Sequence, residues 1–204
     1  MLFFSFYRWF MRASVGKRFC VALLCGASLL AAKPSRAADA SSFPAWMPEV
    51  GFVQIGRAQE TRATVFGLIW PWEKAWRMGG GQWSGYWELA LGRWSTPGVD
   101  GRDRAWVTQF GVTPVFRFRP SEGRSRWFLE AGIGLTVMSP IYRSPSKRFS
   151  TAFNFGDHLA VGRNFGENAQ HELSLRYQHF SNGGVDHPNP GEDFIQLRYA
   201  TSFR

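Results

Sequence analysis

From about residue 48 to the C-terminus, apolar and polar side chains alternate with a period of two, the signature of strands with one face in each environment. Eight such segments are predicted, at roughly 48–57, 61–72, 82–94, 105–118, 126–138, 150–164, 170–181 and 192–203. Turn-forming residues separate them: Pro97-Gly98, Pro120-Ser121-Glu122-Gly123, Pro145, Gly166-Glu167-Asn168 and Asn182-Gly183-Gly184. No helical repeat competes. In the fifth segment Trp127, Leu129, Ala131, Ile133, Leu135 and Val137 share a face opposite Phe128, Glu130, Gly132, Gly134 and Thr136. In the seventh, Leu173, Leu175 and Tyr177 oppose Glu172, Ser174, Arg176 and Gln178. In the eighth, Ile195, Leu197, Tyr199 and Phe203 oppose Gln196, Arg198 and Ser202.

Two architectures fit this pattern. A soluble sandwich would turn the apolar faces inward. A small membrane barrel would turn them toward lipid and fill a narrow lumen with the polar ones. Strand length favours the barrel, because ten to fourteen residues are long for a sandwich but match a tilted span of the bilayer. The polar faces mix small residues with both signs of charge (Glu88, Glu130, Arg176, Arg198), as a filled lumen requires, and the last strand is aromatic. The fold expected is therefore an all-β, eight-stranded antiparallel transmembrane barrel of the bacterial outer membrane. With both termini in the periplasm, the hairpins near 58–60, 95–104, 139–149 and 182–191 face the exterior.

The N-terminal residues change how composition should be read. Lys17 and Arg18 precede an apolar run, Phe19 to Ala32, and a small-residue cleavage site, Ser35-Arg36-Ala37. This predicts a secretory signal peptide over residues 1–37 and a barrel over 38–204. Cys20 and Cys25 both fall within the signal, so the mature chain has no disulfide and no thiol nucleophile. Six of the 24 basic residues and none of the 15 acidic ones fall there too, which lowers the formal charge from +9 to about +3. The high isoelectric point is thus no argument for nucleic-acid binding.

Candidate chemistry is concentrated where the seventh segment runs into the eighth. His179 and Ser181 are two residues apart and continue the Leu173/Leu175/Tyr177 row. Asp193 continues the Ile195/Leu197 row on the neighbouring strand. A serine, a histidine and a carboxylate would emerge side by side at the rim of the apolar band, an expensive place for polar groups. They are also the parts of a nucleophilic hydrolase: hydroxyl, base, and an acid that fixes the base. Asn182 and Gly184 are candidate oxyanion donors. Parity places Glu192 on the opposite face, although a bulge at the strand start would turn it outward and make it the acid instead. His171 and His187 are read as solvated, with His187 also able to meet a substrate phosphate, and His158 as a hydrogen-bonded interior residue. No cluster has metal-ligand spacing, and no cofactor is expected.

The run from His179 to Asp193 resembles the His-x-Ser-Asn motif and following loop of the lipid A 3-O-deacylase (PagL) family. The likeness extends to Ile69-Trp-Pro-Trp-Glu73 with Lys74 and Trp76, Gly85-Tyr-Trp-Glu88, Phe128 to Gly134, and Asn154-Phe155 with Asp157. It implies an outer-membrane esterase acting on the 3-O-linked acyl chain of lipid A, membrane-embedded and facing lipopolysaccharide in the outer leaflet. His179 would be the base, Ser181 the nucleophile and Asn182 an oxyanion-hole residue. The family's glutamate position falls on Asp193, one methylene shorter. A non-enzymatic structural or adhesive barrel is the alternative, and a homodimer is left open.

Overall fold

The computed structural model describes residues 46–99 and 101–203. The predicted signal segment, 1–37, lies outside them. Nine strands form one antiparallel sheet: β1 (Val50–Arg57), β2 (Arg62–Pro71), β3 (Trp76–Met78), β4 (Gly81–Pro97), β5 (Arg104–Pro120), β6 (Trp127–Ser139), β7 (Phe153–Phe165), β8 (His171–Ser181) and β9 (Glu192–Ser202). Each long strand pairs with its chain neighbours, β1 pairs with β9, and β2 pairs with β4, so eight long strands close into a barrel. Closure removes the edges of the eight long strands, which a spanning sheet needs because lipid cannot satisfy a free N–H or C=O.

The short β3 was not anticipated. It folds back on the start of β4, Trp76 opposite Trp83, through Gly79-Gly80, both at positive φ. Two left-handed residues in a row make the tight turn matched to strand twist, so Gly79-Gly80 carried the signal. β4 and β5 also run to 17 residues each, longer than a bilayer span, and carry their hairpin beyond the apolar band.

Alternation sorts the side chains as a membrane barrel requires. Ile133, Leu135, Val137, Leu173, Leu175, Ile195 and Leu197 are exposed on the outer wall, with Trp87, Trp106, Trp127 and Tyr199 among them. Left in water, apolar side chains of this size would each forgo roughly 1.5–3 kcal/mol of burial, which excludes the soluble sandwich.

The lumen holds two ionic groups, joined where Arg176 lies 3.9 Å from Glu130. Glu88 accepts from Arg176 (3.2 and 3.1 Å) and from Arg198 (2.7 and 2.9 Å). Arg117 reaches Glu130 at 2.7 Å and clasps Glu172 with both terminal nitrogens at 2.6 and 2.7 Å. The guanidinium of Arg198 stacks on Phe52 and that of Arg117 on Phe128. Phe128 fits because the opposite residue, Gly162, has no Cβ to meet its ring. His158 is buried here, as an interior residue, and neither ring nitrogen has a protein partner.

Nearer the end bearing the 140–152 connection, aromatics replace charge. Trp94 packs edge-on against Tyr142 and Phe180 and tilted against Phe194, with centroids 4.7–5.5 Å apart.

Removing one partner of a buried ion cluster should be far costlier than removing a surface pair. Glu88→Gln leaves Arg198 without a carboxylate and Arg176 with only Glu130, at 3.9 Å, and should lower stability by about 3–5 kcal/mol. Glu122→Gln, which breaks the exposed pair with Arg124, should cost at most about 1 kcal/mol. Urea unfolding of detergent-folded barrel, read by heat-modifiable gel mobility, checks the difference.

Candidate active site

The β8–β9 register brings the predicted residues together. His179 pairs directly with Asp193, and Phe180 with Glu192. His179 Nδ1 lies 2.7 Å from Asp193 Oδ1, with both side chains partly exposed on the outer wall. Directly opposed residues in an antiparallel pair have Cβ atoms only about 4.5–5.5 Å apart. A short aspartate therefore spans the gap. The same Oδ1 accepts a hydrogen bond from the Tyr177 hydroxyl at 2.7 Å. This contact was missed in the sequence, although Tyr177 was already placed on the His179 row.

Glu192 goes elsewhere. It is buried on the lumen side, where Tyr142 donates to Oε2 at 2.6 Å and Lys147 Nζ lies 3.1 Å from Oε1. It cannot be the acid beside His179, and no bulge turns it outward. Its role is to tie down the 140–152 connection. Thr61 completes the anchor at 2.7 Å from the Tyr142 hydroxyl. Burial, then the bond to Glu192, pushes the Tyr142 phenol up to about 12, so it remains a donor across the physiological range.

Ser181 ends β8 and faces Phe155 of β7. It is nearly covered, at 7% exposure, whereas its row-mates are open to lipid. The loop that follows is closed on itself. Asn182 N–H donates to Asn189 Oδ1 at 3.0 Å, which staples the two ends of the 182–191 loop together. No hydrogen bond joins Ser181 Oγ to His179 in this arrangement.

The two oxyanion candidates, Asn182 and Gly184, are engaged within the loop. The Asn182 side-chain amide donates to Ser150 Oγ (3.0 Å) and to the Asp186 carbonyl (2.8 Å), and its Oδ1 accepts from Gly184 N–H (2.9 Å). Those donors are committed to loop structure, so Asn182 and Gly184 act here as a brace.

Two further residues bear on the imidazole. Asp157 faces His179 from β7, a second carboxylate on the opposite flank. Gly191, at φ +69°, lies so close that a Cβ there would sit 2.6 Å from His179 Cε1. The sequence signal for this close approach was the Pro190-Gly191 pair just before β9. Among the described residues no group of three or more His, Cys, Asp or Glu is arranged to hold a metal.

A small outer-membrane barrel with a serine, a histidine and a carboxylate on its lipid-facing wall is the class that this geometry defines. Residues 61–202 match the family model described as lipid A 3-O-deacylase (PagL). The chain belongs to that family. It is 40% identical to the lipid A deacylase PagL of Bordetella bronchiseptica over 116 residues, 57% of this chain and 61% of that one. The match thus spans under two thirds of that relative's length. It is 31% identical to the lipid A deacylase PagL of Pseudomonas aeruginosa over 134 residues, 65% of this chain and 73% of that one. Among solved structures, the outer membrane enzyme PagL superimposes with a TM-score of 0.63 at 28% identity, covering 74% of this chain and 98% of that one.

If Gly191 is glycine because the imidazole needs its space, Gly191→Ala should push the ring off Asp193 without unfolding the barrel. The 15N shift of His179 Nδ1 should then move toward that of an unbonded imidazole, with heat-modifiable mobility retained. An unchanged shift would show that the ring is held by other contacts.

Proposed function

We propose that the protein is an esterase that hydrolyses the 3-O-linked acyl chain of lipid A from within the outer leaflet, remodelling lipopolysaccharide. One observation carries the reading. A histidine is bonded through Nδ1 to a carboxylate at 2.7 Å on the lipid-facing wall, two residues from a serine on the same strand face. A structural or adhesive barrel has no use for that arrangement in such a costly place.

With Asp193 accepting from Nδ1–H, the lone pair of His179 resides on Nε2, the tautomer a general base needs. His179 Nε2 takes the Ser181 hydroxyl proton as Oγ attacks the ester carbonyl. The tetrahedral intermediate collapses as the imidazolium returns that proton to the departing sugar O3. Water, deprotonated by His179, then releases the fatty acid from Ser181. Asp193 holds the ring and supports its charge, and Tyr177 holds Asp193. The acyl chain lies along the exposed Leu173, Leu175 and Ile195 wall, so the ester need not leave the membrane to react.

Ser181→Ala and His179→Ala should each abolish release of 3-hydroxy fatty acid from lipid A, followed by mass spectrometry, while the barrel still assembles. Triad members act as a unit, so the double variant should be no worse than either single one. Fatty-acid release at the wild-type rate by either folded variant would return the protein to the structural-barrel reading.

Asp193→Asn should reduce turnover about 10- to 1000-fold. That is less than the roughly 10⁴-fold of a fully enclosed triad, because solvent screens a half-exposed carboxylate. Glu192→Gln should spare turnover relative to Asp193→Asn and instead loosen the 140–152 connection, seen as faster proteolysis there.

A further inference from the structure

The β1–β2 hairpin sets two arginines on the outer wall beside the site. Arg57 ends β1, Arg62 begins β2, and they oppose each other directly in the register. Ala58 N–H donates to the Thr61 carbonyl at 2.8 Å to close the turn, and Ala58 and Thr61 are both buried. Alternation then turns Arg57 and Arg62 outward, in the rows of the exposed Ile55 and Phe66. We propose that Arg57 and Arg62, flanked by Arg93 of β4, bind a phosphate group of the same amphiphile whose ester reaches Ser181. The proposal rests on the esterase reading above and extends it to the headgroup.

Three observations converge on it. First, these charges lack a counter-charge. In the lumen Arg117, Arg176 and Arg198 each have a carboxylate within ion-pair distance. On the wall, Arg57, Arg62 and Arg93 have none among the described residues. The acids nearest in chain or register are turned elsewhere: Glu60 accepts from Ser146 Oγ at 2.8 Å, and Asp193 is held by His179 and Tyr177. Like charges directly opposed in an antiparallel pair repel. On a lipid-facing wall, the counter-ion has to come from a headgroup.

Second, the pair adjoins the triad. β1 lies next to β9, with Arg57 opposite Ile195. Ile195 belongs to the wall along which the acyl chain lies, and Asp193 is the next outward residue of its row. Arg57 is therefore the diagonal neighbour of Asp193, a backbone separation of about 7–8 Å. An amphiphile with its chain on Ile195 would present its headgroup to the two guanidiniums. Arginine stems can lie along apolar surface while the charged end rises to the headgroup level, and guanidinium forks match phosphate oxygens in geometry as well as in sign.

Third, the charge continues along the wall in a fixed position. Thr64 opposes Arg93 and Arg62 opposes Ser95, so Arg93 is diagonal to Arg62. Arg93 Nη1 donates to Thr108 Oγ1 at 2.6 Å, and its guanidinium lies over Trp106, 5.4 Å from the ring centroid. Its remaining N–H groups are open to a ligand.

The test uses detergent-folded full barrel with bisphosphorylated lipid A and the same lipid after enzymatic dephosphorylation. Arg57→Gln/Arg62→Gln is compared with wild type and with Arg126→Gln/Arg163→Gln, which removes equal charge from the opposite rim. In wild type the kcat/KM ratio of phosphorylated over dephosphorylated lipid should be about ten or more, carried mainly by KM. Arg57→Gln/Arg62→Gln should bring it close to one, and the opposite-rim variant should leave it unchanged. A ratio of one in wild type overturns the proposal. So does a ratio that Arg57→Gln/Arg62→Gln leaves intact, or one that both double variants lower equally, which would mark net charge alone.

Binding keeps this separate from the esterase reading. By native mass spectrometry, Ser181→Ala barrel should retain phosphorylated lipid A about ten-fold better than the dephosphorylated form, and adding Arg57→Gln/Arg62→Gln should abolish that preference. If wild type hydrolyses neither lipid, the esterase reading falls and this preference alone decides the arginine site. Inorganic phosphate is the third probe. Its saturation at micromolar concentration, with no preference between the two lipids, would mark a free-anion site and overturn the headgroup assignment.

Discussion

Closure of the sheet is the constraint on which everything else depends. Once β1 meets β9 and β2 meets β4, every strand residue is committed to lumen or lipid, and no strand can slip without inverting its faces. The site is sensitive to this at single-residue resolution. A slip at the β8–β9 pair would exchange His179 with Phe180 and Asp193 with Glu192. The register is secured from inside: Phe180 and Phe194 pack on Trp94, and Glu192 binds Tyr142. Outward chemistry is positioned by inward packing one residue away.

The neighbouring acids show how position decides role. Glu192 and Asp193 differ by one methylene and adjoin in sequence, yet one anchors a connection in the interior and the other grips an imidazole facing lipid. A glutamate at Asp193 would have slack to take up. Aspartate makes the bond directly because the pairing sets the two side chains opposite each other. The second bond, from Tyr177, falls on the same oxygen, Oδ1, and holds it beside the imidazole.

The strands were legible in the sequence because lipid and a filled lumen impose strict alternation, and alternation survives in single residues. Predicted and observed limits of the eight long strands differ by at most a few residues, and only the three-residue β3 is too short to show a period. The pairing of His179 with Asp193 followed from parity and a hairpin, both local. What could not be read was contact between residues distant in sequence. Nothing near Asn182 announces that its amide will be taken by Ser150, and nothing near His158 announces that its nitrogens will go unpartnered. Arg102 and the Arg143/Arg148 pair come from turns on two hairpins, and only closure of the barrel brings those turns to one rim.

The lumen has a consequence for the cell rather than for chemistry. Two arginine–glutamate clusters and an aromatic layer of Trp94, Phe180 and Phe194 occupy the interior in succession. A barrel of eight strands is just wide enough for side chains to fill it. The protein therefore sits in the outer membrane as a solid stave rather than a pore. Its presence in that membrane adds a wall element without adding a channel.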